Sequence, residues 1–141
     1  MSWFIWALLS AIFAALTAIL AKVGVEQINS NLATAIRTVV IVAFTWLLVW
    51  FSGEARELSS INRRTWIFLV LSGIATGLSW LCYFRALQLG EASRVAPIDK
   101  LSVVFVIVLA ALFLGEKMTW HQCVGGALIL SGAIVIALKS T

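Results

Sequence analysis

Arg37, Arg85, Asp99 and Lys100 stand in stretches of sequence that are otherwise apolar. Arginine and lysine in such a setting offer charge-assisted hydrogen bonds to a carboxylate or a phosphate. Asp99 offers the one carboxyl group there that could take up and release a proton. Asp99 and Lys100 share the stretch VAPIDKLSVVF, Val95–Phe105, with Pro97, the only proline in the chain. Trp80 and Tyr83 precede Arg85; Gly73, Gly77, Trp80 and Phe84 fall on one helical face with Tyr83 beside them. That face reads either as the aromatic wall of a cavity or as packing between helices. No HExxH, G-x-S-x-G or Walker loop occurs, and no carboxylate pair is placed for acid–base work. The expectation is a binding protein rather than an enzyme, with no catalytic residues, cofactor or metal. His121 reads as an interfacial polar residue.

The elements that carry these groups follow from composition. Of 141 residues, 62% are hydrophobic and 11% charged. A soluble domain is about 45–50% apolar and about 25% charged, and one this small could not hide so much apolar surface. A bilayer can, so the chain reads as an integral membrane protein, in contact with lipid. The net charge of +4 forms no long basic run, which argues against nucleic acid. Cys82 and Cys123 make no CxxC pair and read as small buried hydrophobes. The start, MSWFIWALLS, lacks the basic region of a signal peptide and is expected to open a first membrane span rather than a removed leader.

Crossing about 30 Å of hydrocarbon takes about 20 helical residues. Five segments qualify: about 3–21, 31–51, 65–89, 92–114 and 119–138, the second with Ser30 as N-cap. The fold class is therefore all-α and polytopic, a single transmembrane domain over 1–141 with short loops. Leu101–Gly115 has fifteen residues and would reach only about 22 Å. The fourth helix must extend upstream to about Ala92, which draws Asp99 and Lys100 into the membrane. The same arithmetic draws in Arg37. With the N-terminal side named A, Arg37, Arg85, Asp99 and Lys100 all fall in the half nearer side B.

Ionisable groups at that depth cost at least a few kcal/mol each unless paired or hydrated. Four in one half imply a polar cavity; the alternatives are arginines snorkelling to side B headgroups and an Asp99–Lys100 ion pair. Adjacent helical residues point about 100° apart, so Asp99 is expected to meet an arginine of the second or third segment instead. Pro97 either kinks its helix beside a wet cavity or sits harmlessly in the first turn.

Small residues recur at Ala7, Ala11, Ala14, Ala18 and Ala21, at Gly73 and Gly77, and from Gly125 to Ser131, a pattern that lets membrane helices approach closely. Trp3, Trp6, Trp50, Trp66 and Trp120 gather at side A as an interface belt. Side A loops hold Arg56, Arg63, Arg64 and Lys117; side B holds Lys22, Arg94 and Lys139. Four against three is little bias, and adding Arg37, Arg85 and Lys100 reverses it. Insertion in either orientation is the expectation.

From Tyr83 to Thr119, YFRALQLGEASRVAPIDKLSVVFVIVLAALFLGEKMT, and again over GGALILSGAIVIAL, Gly125–Leu138, the chain resembles the EamA-domain family of the drug/metabolite transporter superfamily. The ending LGE at Leu114–Glu116 and the glycine-rich last helix are the more specific features. Most members are similar to two such units fused into ten helices. The resemblance implies that this chain is one half of a ten-helix inverted-repeat transporter. It further implies an antiparallel homodimer moving a small-molecule substrate by alternating access. The implied location is the cell membrane, a prokaryotic plasma membrane. Inverted copies also occur in the small multidrug resistance family, but that family resembles four helices with a glutamate in the first, and here no acidic residue precedes Glu26. The residues lean toward an amino-acid-like or other carboxylate- or phosphate-bearing solute, bound by Arg37, Arg85, Lys100, Asp99, Tyr83 and Trp80. The competing reading is a non-transporting membrane assembly or regulatory subunit.

Overall fold

The computed structural model describes residues 2–138; Lys139, counted above among the side B cations, lies outside them. Among the described residues, five stretches of helix are long and apolar enough to cross a membrane: Trp3–Gly24, Ser30–Ser52, Arg63–Leu89, Ala92–Leu114 and Trp120–Ala137. The first three are the continuous helices α1, α2 and α3. The fourth is interrupted and comprises α4, Ala92–Asp99, α5, Ser102–Leu109, and a wide π turn, Ala110–Leu114. The last is α6, Trp120–Ala137. A short 3-10 helix, Glu54–Ser60, follows α2. The protein is a multi-pass membrane protein of all-helical class.

Helix ends follow side-chain chemistry. Asn29, not Ser30, caps α2: its Oδ1 accepts from the Asn31 amide at 2.8 Å. Both residue types cap well. Ser30 is instead helical and buried, and its carbonyl accepts from Thr34 Oγ1 at 2.8 Å. Thr119 caps α6 reciprocally with Gln122: Thr119 N–H donates to Gln122 Oε1 at 2.8 Å, and Gln122 N–H donates to Thr119 Oγ1 at 3.3 Å. Gly115 ends the fourth span at φ 68°, and both its own N–H and that of Glu116 donate back to the Ala110 carbonyl. The left-handed conformation there favours glycine, which gives the glycine of LGE its physical reason.

Two compact units can be distinguished. One is Leu20–Gln88, and the stretches on either side of it form the other. In the Leu20–Gln88 unit the buried residues Val25, Ser30, Ala33, Thr34, Phe84 and Leu87 gather where the α1–α2 turn meets the end of α3. In the other unit α6 packs on α4 and α5. Gly126 and Ala133 are buried there, and a methyl group at Gly126 would stand 3.6 Å from Ile107 Cδ1.

Most large apolar side chains face outward, Trp3 and Phe113 at 80% exposure among them. In a bilayer such faces are solvated by lipid rather than buried in a protein core. Cys82 and Cys123 follow this pattern: both are free thiols, but exposed rather than buried as the sequence reading had them. A membrane helix has little interior to offer, so an apolar residue lies outside by default. Gly73 and Gly77 likewise border open space, and a side chain at either would meet nothing within 4 Å. Hydroxyls are satisfied locally. Thr38 donates to the Thr34 carbonyl, Thr45 to Ile41 and Thr76 to Ser72, which spares the bilayer an unpaired polar group.

Candidate functional site

Arg37 is the eighth residue of α2, about 10 Å along the axis from the helix start. Its guanidinium carbon lies 5.0 Å from the centroid of the Trp80 ring and 5.2 Å from that of Phe84. These two aromatics are four residues apart on α3, so they stand one turn above another and present a paired surface. Phe84 is only 3% exposed; Trp80, Tyr83 and Arg37 are half-buried. Tyr83 packs edgewise on Phe84, with ring centroids 6.4 Å apart.

Magnitudes show what this arrangement does. A charged side chain at the centre of a membrane helix costs about 2.5–3.5 kcal/mol on insertion scales. A cation over an aromatic face recovers about 0.5–1 kcal/mol when exposed and about 2 kcal/mol when desolvated. Two rings therefore offset much of the cost of keeping Arg37 below the headgroups. They do so without neutralising it, unlike a carboxylate. They also engage its planar face, whereas its five N–H donors lie on the edge.

Arg85 is adjacent to Phe84 but engaged elsewhere. It is exposed, and its Nη1 donates to Gln88 Oε1 at 2.6 Å. Gln88 Nε2 in turn donates to the carbonyls of Ile28 at 2.9 Å and Val25 at 3.3 Å. Lys22 Nζ donates to the Leu87 carbonyl at 2.8 Å. Together these bonds tie the α1–α2 turn to the end of α3 around the fully buried Leu87 and Val25. Sequence reasoning grouped Arg85 with Arg37; the fold brings Arg37 to Trp80 and Phe84, and Arg85 to Gln88. It passed over Gln88, and it named Phe84 only as one residue of a shared face. A polar residue at the end of an apolar helix, and an aromatic pair four residues apart, were the available signals.

In the other unit, Lys100 Nζ stands 3.5 Å from Asp99 Oδ2. The neighbours do meet, against the expectation from ideal helix geometry, because the chain is not ideal here. Pro97 is the sixth residue of α4 and so lies beyond the first turn. It has no N–H for the Ser93 carbonyl. The chain then tightens into i→i−3 bonds: Leu101 to Ile98, Val103 to Lys100 and Val104 to Leu101, each 3.0 Å. The long lysine side chain reaches back across this irregular turn. Arg94 pairs with Glu91 at 3.3 Å on an exposed face, an arrangement worth about 0–1 kcal/mol.

Two clefts can be described. One, of about 330 Å³, lies between the end of α2 and the 3-10 helix and is lined by Thr45, Trp46, Glu54 and Leu58, among others. The second, of about 260 Å³, lies between the fourth span and α6 and includes Val104, Ile107, Cys123 and Gly126. Neither of these two is lined by a residue of the charged set.

Comparison with known proteins adds a second line. A family model described as the EamA-like transporter family matches residues 1–138. An uncharacterized transporter in the cobO 3' region of a Sinorhizobium species is 58% identical over 97% of each chain. The uncharacterized transporter YxxF of Bacillus subtilis is 31% identical over 96% of this chain but only 42% of its own length. A probable 4-amino-4-deoxy-L-arabinose-phosphoundecaprenol flippase subunit ArnE of Yersinia pestis is 31% identical over 62% of this chain and 74% of its own. No solved structure matches.

Proposed function

Since the chain belongs to the EamA-like transporter family, we propose that it carries a small anionic metabolite, amino-acid-like or otherwise bearing a carboxylate or phosphate, across the cell membrane by alternating access. The observation that carries this reading is Arg37, whose guanidinium carbon lies 5.0 Å from the Trp80 ring and 5.2 Å from the Phe84 ring. A guanidinium so placed suits a planar, bidentate anion. Trp80 and Tyr83 border the same position. In the other unit, Lys100 and Asp99 of the interrupted span are a separate candidate cation and a candidate carboxyl group for proton coupling. Arg85 is a further contact through whichever of its donors Gln88 leaves free.

The transporting unit is a homodimer of oppositely inserted chains, each contributing one five-helix domain. Three features support this. The chain spans 42% of its Bacillus relative. An odd number of spans places the two ends of one unit on opposite sides, so a second copy must be inverted to build the double-length arrangement. The loop charges hardly favour either orientation. A second reading, one subunit beside a different five-helix chain, is favoured by the naming of the Yersinia relative as a subunit.

Uptake into proteoliposomes with a panel of amino acids, phosphorylated metabolites and neutral analogues tests the function. Purified chain alone should accumulate an acid, and Arg37→Gln, Lys100→Ala and Asp99→Asn should each lower the rate. Uptake of neutral solutes only, or of acids at an unchanged rate in all three variants, would refute the anionic reading. Uptake only after a second polypeptide is added would favour the heteromeric one.

A further inference from the structure

We propose that Trp80 and Phe84 are positioning residues that hold the Arg37 guanidinium as the group that recognises the substrate's anion. This rests on the anionic-substrate reading above and assigns the residues that make it work. The cradle is built from α3, while the cation comes from α2, so the position of the charge is set by the packing of two helices and not by Arg37 alone. Phe84 has no polar atom and is almost fully buried. Apart from filling space, it can act on Arg37 only through its ring face. Without the rings, a long arginine side chain in this half of the bilayer extends toward the headgroups. Two neighbouring hydroxyls are engaged elsewhere: Thr34 and Thr38, which flank Arg37 on α2, donate to the Ser30 and Thr34 carbonyls at 2.8 Å each. The ion pairs of the described residues, Arg94–Glu91 and Lys100–Asp99, do not include Arg37. On this reading a solute anion reaches the N–H edge of Arg37 beside Tyr83, which also acts electrostatically on the guanidinium, and the aromatic pair decides where that anion must stand.

The test has two readouts on the full-length protein in nanodiscs and proteoliposomes. The first uses isotope-labelled arginine and follows the Arg37 Nε–H resonance, assigned through Arg37→Lys. Ring currents should displace it upfield in the native chain, and the displacement should vanish in Phe84→Leu and shrink in Trp80→Leu. The second is transport of the best acid of the panel. Phe84→Leu should raise KM about tenfold, the ratio that about 1.4 kcal/mol represents, at unchanged maximal rate, and Phe84→Tyr should restore it. Uptake of any neutral solute should not change.

An Arg37 signal at its ordinary position, or one indifferent to Phe84→Leu, overturns the cradle. Equal losses for acids and neutral solutes, through the maximal rate and not KM, make Phe84 purely structural and overturn the positioning role. A ring-shifted Arg37 whose resonance does not respond to L-glutamate or inorganic phosphate, with no acid transported, overturns the anionic reading itself. That outcome is distinct because the first readout still succeeds.

Discussion

Replacing Gln88 by leucine should loosen the α1–α2 turn while leaving the far helices intact. The native amide donates to the Ile28 carbonyl at 2.9 Å and the Val25 carbonyl at 3.3 Å. Each such bond contributes about 0.5–1.5 kcal/mol net, and a buried group left unpaired costs about 1–3 kcal/mol. The Ile28 carbonyl belongs to an exposed residue and can turn to water, so its loss falls at the low end. Val25 is 1% exposed, so its carbonyl regains water only by opening the turn. A total of about 1.4–2 kcal/mol follows, or roughly tenfold to thirtyfold in the local opening equilibrium. Amide hydrogen exchange in nanodiscs, read by mass spectrometry on peptides spanning residues 25–33, should accelerate by that factor, with peptides from α6 unchanged. Gln88→Glu makes the same point differently. It keeps an acceptor for Arg85 but loses both donors to the turn, and should loosen it at least as much. Arg85→Leu spares those donors and should change exchange less than about threefold. If Gln88→Leu leaves exchange at residues 25–33 at the native rate, or speeds α6 equally, the strap does not hold the turn.

Other substitutions probe the remaining elements. Gly115→Ala forces a side chain into φ 68° and should cost about 1–2 kcal/mol, seen as a lower midpoint in detergent unfolding. Gly126→Ala should be nearly neutral, because its methyl would meet Ile107 at 3.6 Å, an ordinary contact. Gly126→Leu should overpack that seam by about 1–3 kcal/mol in the same assay. Pro97→Ala should restore a hydrogen bond to the Ser93 carbonyl and raise the unfolding midpoint, while slowing uptake in proteoliposomes. A variant equally fast and more stable would show that the interruption has no part in transport. Epitope tags at both ends, read from each side of intact membranes, should find every tag on both faces; a single fixed orientation would exclude the inverted homodimer.

Much of this protein is written in one dimension. Apolar run length, set against the thickness of a bilayer, marks five spans and leads to the expectation that Arg37, Asp99 and Lys100 lie below the headgroups. Glycine at position 115 announces the left-handed end of the fourth span, because few other residues adopt that backbone. The resemblance carried by LGE and the last helix points to the family that the whole-chain match then establishes. These features are local: each depends on residues within about one helix of each other.

Tertiary structure decided which partners the charged side chains take. The cradle of Arg37 joins α2 to α3, and the Gln88 strap joins residues 60 and 63 positions apart. Such pairings depend on how far one helix slides and turns against another, which hydropathy does not encode because every lipid-facing side satisfies it equally. The Asn29 cap over Ser30 was decided by the turn in which both stand, since either side chain could have served. The Asp99–Lys100 contact was decided by an irregular turn after Pro97 that ideal helix geometry could not supply. The sequence thus marks which charges are expected within the membrane, because span length alone draws them in wherever they point. Only the packing of one helix on another fixes what each of them faces.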